Sequence, residues 1–230
     1  MDWLDPQEWA ALALSLKVAF WAVTVSVLPG LWVAHLLARR EFPGKQIVNG
    51  LVHLPLILPP VVTGYLLLLG FGTQGPLGRL LEPLGVGFAF HWTGAALAAA
   101  IMAFPLMVRA MRLSIEQVDP GLEQAAATLG ASRGWVFVTV TLPLILPGII
   151  AGAILAFAKA MGEFGATITF VSNIPGQTQT LPSAIYAFLQ VPGGEASAIR
   201  LVVISVVIAF AALLASELLA RRVTRRVGGA

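Results

Sequence analysis

The sequence predicts an all-α membrane protein, a polytopic bundle of about five transmembrane helices. Apolar residues make up 58% of the 230 residues, charged residues make up 11%, and the mean hydropathy is +0.88. Most of the long uncharged runs can hold a spanning helix, which needs about 20 mainly apolar residues. The sequence lacks the alternation of polar and apolar residues that a membrane β-barrel requires, so helices are the spanning structure that fits.

The basic residues predict how these helices are oriented. Ten of the fourteen lysines and arginines fall in three clusters, which the positive-inside rule places in the cytoplasm. The clusters are Arg39, Arg40 and Lys45; Arg109, Arg112 and Arg133; and Arg221, Arg222, Arg225 and Arg226. An acidic N-terminus outside and a cytoplasmic C-terminus require an odd number of crossings. Five spans satisfy this rule, at about 9–38, 46–72, 92–113, 140–163 and 198–220.

The second predicted span is interrupted by two adjacent prolines, Pro59 and Pro60. Each proline lacks an amide hydrogen and leaves a carbonyl four residues earlier without its helical partner, so the helix has to kink or unwind there. Opened backbone is tolerated at membrane depth where it is buried in protein or lines a water-filled path. A simple packing kink and a place in a transport path are both open at this point. The lone His53 nearby is expected to be a hydrogen-bonded interior residue.

The uncharged run from 164 to 194 is predicted to be an outer loop rather than a span. Polar turn residues fill 172–180, and prolines and glycines interrupt the remainder. A short helix at about 182–189 is expected to dip partly into the membrane. A sixth crossing here would place the last arginine cluster outside, against the charge rule.

A polar segment between the third and fourth spans is predicted to form two short cytoplasmic helices. Asp119 followed by Pro120 is a helix start, and Gly130 ends that helix because glycine takes the left-handed conformation cheaply. Ser132 can cap the second helix, which is expected to end near Pro143.

The first of these helices carries three alanines, at 125, 126 and 127, beside the charge of Glu123. Small side chains let that face approach another surface closely, which suits a helix inserted into a groove of a partner. An ordinary solvent-exposed hairpin explains the pattern equally well.

Two groups of motifs resemble permease subunits of ATP-binding-cassette (ABC) importers. The segment 123–143, EQAAATLGASRGWVFVTVTLP, is similar to the cytoplasmic EAA loop of that family, with one residue between the glutamate and the alanines. The segments MGEFGA (161–166), FVSNIPG (170–176) and PGGE (192–195) resemble the molybdate permease subunits in particular. Sulfate and tungstate permeases share the Glu-Phe-Gly core.

The resemblance implies the function and the partners. The whole chain, 1–230, is expected to be one permease domain, with a coupling loop at 114–142 and an outer loop at 170–195. It is expected to be a non-catalytic, multi-pass subunit in the bacterial inner membrane that imports an oxyanion, molybdate first, with sulfate or tungstate as alternatives. The implied partners are a second copy of the chain, two ABC ATPase subunits that bind ATP and Mg, a periplasmic oxyanion-binding protein and membrane lipid, but no nucleic acid. This chain has no Gly-rich phosphate loop, and no cofactor or metal is expected on it.

The resemblance also implies two sets of site residues. The residues expected to couple to the ATPase are Glu123, Ala125, Ala126, Leu129, Gly130 and Arg133. The residues expected along the translocation path or its gate are Pro59, Pro60, Thr63, Glu163 and Thr167, with Thr169 and Ser183 as further hydroxyl donors. A dianion is expected to meet neutral donors and helix ends, because a fixed cation would hold it too tightly for release. Glu163 would repel the anion, so an ion pair with Lys159, four residues earlier, is favoured over a substrate contact, and a gate role stays open.

Two other classes of function stay open on the sequence. A secondary transporter usually shows ionisable groups within its spans and inverted repeats, and here the spans offer only Lys159 and Glu163, without a visible repeat. A membrane enzyme needs a convergent set of His, Asp or Glu residues, whereas the three histidines fall in separate segments.

Overall fold

The structure is a computed structural model that describes residues 3–85 and 87–227. Every regular element within these residues is helical, which confirms the predicted all-α class. In chain order the helices are α1 (Pro6–Arg39), α2 (Lys45–Ile57), α3 (Pro60–Phe71), α4 (Pro76–Leu81), α5 (Trp92–Glu116), α6 (Pro120–Thr128), α7 (Arg133–Val136), α8 (Leu142–Met161), α9 (Gly165–Val171), α10 (Leu181–Leu189) and α11 (Glu195–Val227). A 3-10 turn occupies Glu82–Leu84, and a π turn at Phe137–Thr141 joins α7 to α8 without a break.

Long-range contacts define two ends of the bundle. At the Glu8 end, Arg200 in the second turn of α11 donates to Glu8 in the first turn of α1, with 2.6 Å between Nη2 and Oε1. At the opposite end, called the α6 end, Arg39 is the last residue of α1, and it contacts Glu123 of α6. α5 begins at the Glu8 end, where the Lys17 ammonium lies 3.7 Å from the ring centroid of Trp92. It therefore runs from the Glu8 end to the α6 end.

The number of spans depends on α2 and α3. Four helical stretches among the described residues are long and apolar enough to cross a membrane: α1, α5, Arg133–Met161 and Glu195–Leu219. α2 and α3 form a pair bent by 113°. α2 starts at the α6 end, because Asn49 accepts a 3.1 Å hydrogen bond from Arg112 near the end of α5. α3 ends at the Glu8 end, where Phe71 packs edge-on against Phe88, just before α5. The pair therefore crosses as one broken span, and the five predicted crossings fit.

α5 forms the centre of the bundle. Its Met107, Val108, Met111 and Ile115 are completely buried, and α1 and α8 pack along it. Alanines fill much of its other buried surface, which lets neighbouring helices approach closely without large side chains between them. Helix against helix is thus the only packing layer in the described part of the chain.

The predicted outer loop contains a helix that sequence reasoning missed. Residues 165–171 form α9, whose Ala166, Phe170 and Val171 are completely buried. α9 lies against α3 and α5, so its apolar face is covered by the bundle. Glu163 starts the helix by accepting the Ala166 amide hydrogen bond at 3.0 Å. The loop prediction for these residues was wrong because a helix of seven residues, about two turns, is too short to show a clear hydrophobic period in the sequence.

The helix that begins at Ser132 does not end near Pro143, as was predicted. It passes through the π turn into α8, where the Leu142 amide bonds to the Phe137 carbonyl five residues earlier. Pro143 consequently lies in the first turn of α8, where a missing amide hydrogen is tolerated. α7, the π turn and α8 thus form one continuous stretch of 29 residues.

The predicted short helix near 182–189 is present as α10. Its Leu181, Ser183 and Ala184 are buried between α1 and α11, so it enters the bundle from the Glu8 end. Ser15 of α1 fixes its start, since the serine oxygen accepts the Leu181 amide hydrogen bond at 2.6 Å. His53 is also hydrogen-bonded as predicted, with its Nδ1 donating to the Asn49 carbonyl at 2.8 Å.

Candidate functional site

Two helix breaks lie against each other within the membrane-spanning part of the bundle. One separates α2 from α3 at Pro59, and the other separates α8 from α9 at residues 162–164. Gly165 comes so close to Pro60 that a Cβ on the glycine would lie 2.8 Å from the proline Cβ. A Cβ on Gly64 would similarly lie 2.9 Å from the Thr169 Cβ and from the Ala166 Cα. The close approach of α3 to α9 therefore requires glycine at both contacts.

The structure separates the four predicted hydroxyl donors into two kinds. Thr167, Thr169 and Ser183 each donate to a carbonyl of their own segment, at 2.9, 2.8 and 2.9 Å. Thr63 is 6% exposed, and its hydroxyl oxygen is buried without a hydrogen-bond partner among the described residues. A buried unsatisfied polar group costs about 1–3 kcal/mol, so it calls for an explanation. Of the four hydroxyls, only that of Thr63 has no hydrogen-bond partner among the described residues and is free to bond to a ligand.

Glu163 forms the predicted ion pair with Lys159, at 2.9 Å between Oε2 and Nζ. Its other oxygen accepts the Ala166 amide hydrogen bond, and its side chain is 2% exposed. Both carboxylate oxygens are therefore engaged. Glu163 connects α8 to α9 across the second break, through Lys159 on one side and the Ala166 amide on the other. This arrangement fits a structural link between the two helices better than contact with an anion.

The local structure around α6 follows the sequence prediction. Asp119 caps the helix by accepting the Gly121 amide hydrogen bond at 2.8 Å. Gly130 has φ +89, the left-handed conformation expected after the last turn. Ser132 caps α7 by accepting the Trp135 amide hydrogen bond at 3.4 Å. The turn between α6 and α7 is thus set by the residues that predicted it.

α6 presents two different faces. Leu122, Ala125 and Leu129 are exposed, and Leu129 is 89% exposed, the largest fraction among the large hydrophobic residues described. Ala126 is half-buried, and Arg133, just after the turn, is exposed. The three exposed apolar side chains share one face of the helix, and a contiguous exposed apolar patch is a typical feature of a protein-binding surface.

Glu123 points toward the bundle and away from the Leu129 face. Its Oε1 accepts a 2.7 Å hydrogen bond from the Thr141 hydroxyl and lies 3.3 Å from an Arg39 nitrogen. The same Arg39 nitrogen donates to the Val118 carbonyl at 2.9 Å. Sequence reasoning placed the Glu123 charge beside the partner surface, but here it attaches α6 to α1 and to the π turn. Arg39 lies 84 positions earlier, so no local pattern could have shown this pair.

The described residues contain no group of three or more His, Cys, Asp or Glu side chains that could hold a metal ion. His35 packs against Phe137 near α6, whereas His91 caps the start of α5 at the opposite end. His35 and His91 thus lie at opposite ends of the bundle.

Comparison with known proteins decides the family. Residues 26–225 match the family described as "Binding-protein-dependent transport system inner membrane component". The chain belongs to this family. The permease is accordingly a multi-pass protein of the inner membrane, in agreement with its apolar helices.

Named relatives are similar to the permease over nearly its full length. It is 59% identical over 225 residues to the "Molybdenum transport system permease protein ModB" of Escherichia coli K12, covering 97% of this chain and 98% of that one. It is 52% identical over 222 residues to the protein of the same name from Haemophilus influenzae, covering 96% and 97%. A "Sulfate permease 2, chloroplastic" of Chlamydomonas reinhardtii is 43% identical over 77% of this chain and 48% of its own.

Solved structures support the fold. An ABC transporter "involved in the import of the acidic polysaccharide alginate" matches 96% of the permease and 81% of its own chain, with a TM-score of 0.75 and 18% identity. An amino acid ABC transporter matches 94% of each chain, with a TM-score of 0.67 and 23% identity. The helix arrangement is therefore that of ABC transporter membrane chains.

Proposed function

We propose that the permease is the membrane subunit of an ATP-driven importer that carries molybdate from the periplasm to the cytoplasm. The relatives named as molybdenum transport permeases support this substrate, since they match at 59% and 52% identity along almost the whole chain. Sulfate and tungstate are the alternative substrates. The observation that carries the mechanism is the exposed apolar face of α6, at the end of the bundle that holds Arg39 and Arg133.

In this proposal the α6 end faces the cytoplasm, and an ABC ATPase subunit docks on Leu122, Ala125 and Leu129. The ATPase binds ATP and Mg and hydrolyses the nucleotide, whereas this chain supplies no catalytic group. Movement of the docked ATPase would reach the membrane through Glu123, which ties α6 to α1 and to the continuous α7–α8 stretch. A periplasmic oxyanion-binding protein delivers the anion at the Glu8 end.

The functional unit in this proposal is a homodimer with two ATPase subunits. The broken span is covered on only one side within a single chain: α2 has no buried residue, and α3 exposes Val61, Tyr65 and Leu69. A second copy placed on this surface would cover it and leave the apposed breaks beside the path. Neutral hydrogen-bond donors at these helix breaks would stabilise a passing anion without binding it as tightly as a cation does.

Transport assays test the proposal most simply. The permease, its ATPase and the binding protein are reconstituted in liposomes, and molybdate uptake is followed with and without ATP. Uptake should require ATP and the ATPase, and an excess of unlabelled sulfate should compete weakly. Uptake that persists without ATP would indicate a secondary transporter and contradict the proposal.

Thr63→Val tests the path itself. Valine keeps the shape of threonine but removes the unpartnered hydroxyl, so protein stability should stay the same or rise. If the hydroxyl contacts the passing anion, uptake should fall by about tenfold, the equivalent of one hydrogen bond. Thr24→Val is the matched control, since the Thr24 hydroxyl bonds only to a carbonyl of its own helix. Unchanged uptake by Thr63→Val would remove Thr63 from the path.

A further inference from the structure

A cavity of about 440 Å³ with both charged and apolar side chains in its walls lies behind α6, on the face turned away from Leu129. Its walls come from the last turns of α1, from α6 and from the α7–π-turn segment. The polar lining includes His35, Arg39, Arg40, Glu123, Gln124 and Arg133. The cavity therefore lies between the end of α1 and the consecutive segments α6 and α7, which are distant from α1 in the sequence.

The charge of the cavity is positive. Three arginines face one glutamate, and that glutamate is already paired with Arg39. Arg40 and Arg133 are exposed, and among the described residues neither guanidinium group forms an ion pair or a side-chain hydrogen bond. Two guanidinium groups thus lie beside an open space without a counter-charge. Guanidinium is the side-chain group best shaped to bind the oxygens of a phosphate or a similar anion.

The geometry of α6 separates this cavity from the surface proposed for the ATPase. Pro120, Glu123, Gln124 and Ala127 line the cavity, and their spacing of three and four residues places them on one helical face. Leu122, Ala125 and Leu129 lie about half a turn away, on the opposite face. A protein docked on the Leu129 face would leave the cavity behind α6 unfilled, which favours a small ligand over a side chain of the partner.

We propose that this cavity binds a tetrahedral oxyanion, of the phosphate or molybdate class, between Arg40 and Arg133 with the Gln124 amide as a further donor. Two unpaired arginine side chains would bind a dianion too tightly for the rapid release that transport requires. The site is therefore a binding site that lies off the translocation path. Because its walls belong to α1, α6 and α7, a bound anion would tie α6 to the end of α1. Occupancy would therefore restrain the helix that the ATPase is proposed to move.

Equilibrium dialysis of the purified full-length permease against labelled molybdate and against inorganic phosphate tests the site. Saturable binding of at least one anion is expected, weakening with added salt because charges are screened. Arg133→Gln should reduce the affinity by about tenfold, the loss of one charge-assisted hydrogen bond, and Arg40→Gln with Arg133→Gln should abolish saturation. Size-exclusion profiles should stay unchanged, since both side chains are exposed.

Arg109→Gln is the matched control. Arg109 is an exposed arginine of α5 at the same end of the bundle and outside this cavity, so it changes the net charge equally. Absence of saturable binding to the unmodified permease, or equal weakening by Arg109→Gln, would overturn the proposal. The assay needs neither ATP nor transport, so its result is independent of the importer function.

The same oxygens could come from a free anion or from the phosphate of an inner-leaflet lipid. Dialysis is therefore repeated in nanodiscs of phosphatidylcholine and of phosphatidylglycerol. Equal binding in both supports the site and assigns it to a free anion. If the labelled anion binds in phosphatidylcholine but not in phosphatidylglycerol, the phosphatidylglycerol headgroup occupies the site, which assigns the site to a lipid. This outcome supports the site provided that Arg133→Gln still weakens anion binding in phosphatidylcholine.

Discussion

The two ends of the bundle each tie α1 to a distant segment through a Glu–Arg pair, but they do so differently. At the Glu8 end, the Glu8 side chain is 0% exposed, and Arg200 donates to both carboxylate oxygens through Nε and Nη2. At the α6 end, the Glu123 side chain is 23% exposed and meets Arg39 at one contact of 3.3 Å. The Glu8 carboxylate is buried and bonded at both oxygens to Arg200, whose own side chain is 28% exposed, whereas the Glu123 carboxylate is partly exposed and is shared with Thr141.

This difference indicates that the Glu8 end is the more rigid end of the bundle and that the α6 end is the more easily displaced. Charge-assisted hydrogen bonds to a buried carboxylate contribute about 1.5–3 kcal/mol, but a partly exposed ion pair contributes about 0–1 kcal/mol and is screened by salt. A rigid Glu8 end suits a surface that receives a binding protein. A weakly tied α6 end suits a segment that an ATPase displaces, because little free energy has to be supplied to shift it.

The largest expected effect is at Glu8. Glu8→Gln should lower the free energy of unfolding by about 1.5–3 kcal/mol, because the buried carboxylate loses its charge-assisted hydrogen bonds from Arg200. Thermal unfolding of the purified permease in detergent measures this loss. Asp5→Asn is the control: Asp5 is 68% exposed and 3.5 Å from Arg200, so its change should stay within about 0.5 kcal/mol. Equal losses in the two variants would contradict the contrast between the ends.

A smaller effect is expected at the turn after α6. Gly130→Ala should cost about 1 kcal/mol, since φ +89 is unfavourable for alanine although no atom blocks a Cβ there. Gly134→Ala is matched to it: Gly134 is equally open but lies in α7, so alanine should be neutral or slightly stabilising. Unfolding curves of both variants give the difference, and identical curves would show that the turn is not fixed in the left-handed conformation.

The smallest effect is expected at Glu123. Glu123→Gln keeps an acceptor for Thr141 and Arg39 but removes the charge, so stability should change by less than about 1 kcal/mol. The difference should vanish in high salt, whereas the effect of Glu8→Gln should persist. A loss at Glu123 as large as that at Glu8 would mean that both ends are equally rigid.

The sequence predicts those parts of the structure that depend on neighbouring residues. The break at Pro59, the cap of α6 by Asp119 and the Lys159–Glu163 pair each depend on residues that are at most four positions apart in the sequence. The pairs Glu8–Arg200 and Arg39–Glu123 join residues 192 and 84 positions apart, so only the folded chain reveals them. The hidden helix α9 and the unpartnered hydroxyl of Thr63 likewise depend on what the bundle places around them.

The most direct test of the central claim, that the exposed face of α6 receives the ATPase, is Leu129→Asp in the assembled transporter. Leu129 is 89% exposed, so the variant should fold normally yet lose co-purification with the ATPase and lose ATP-driven molybdate uptake. Leu84→Asp, at a leucine that is 72% exposed near the Glu8 end, should keep the ATPase bound. Full ATPase binding and uptake by Leu129→Asp would contradict the account.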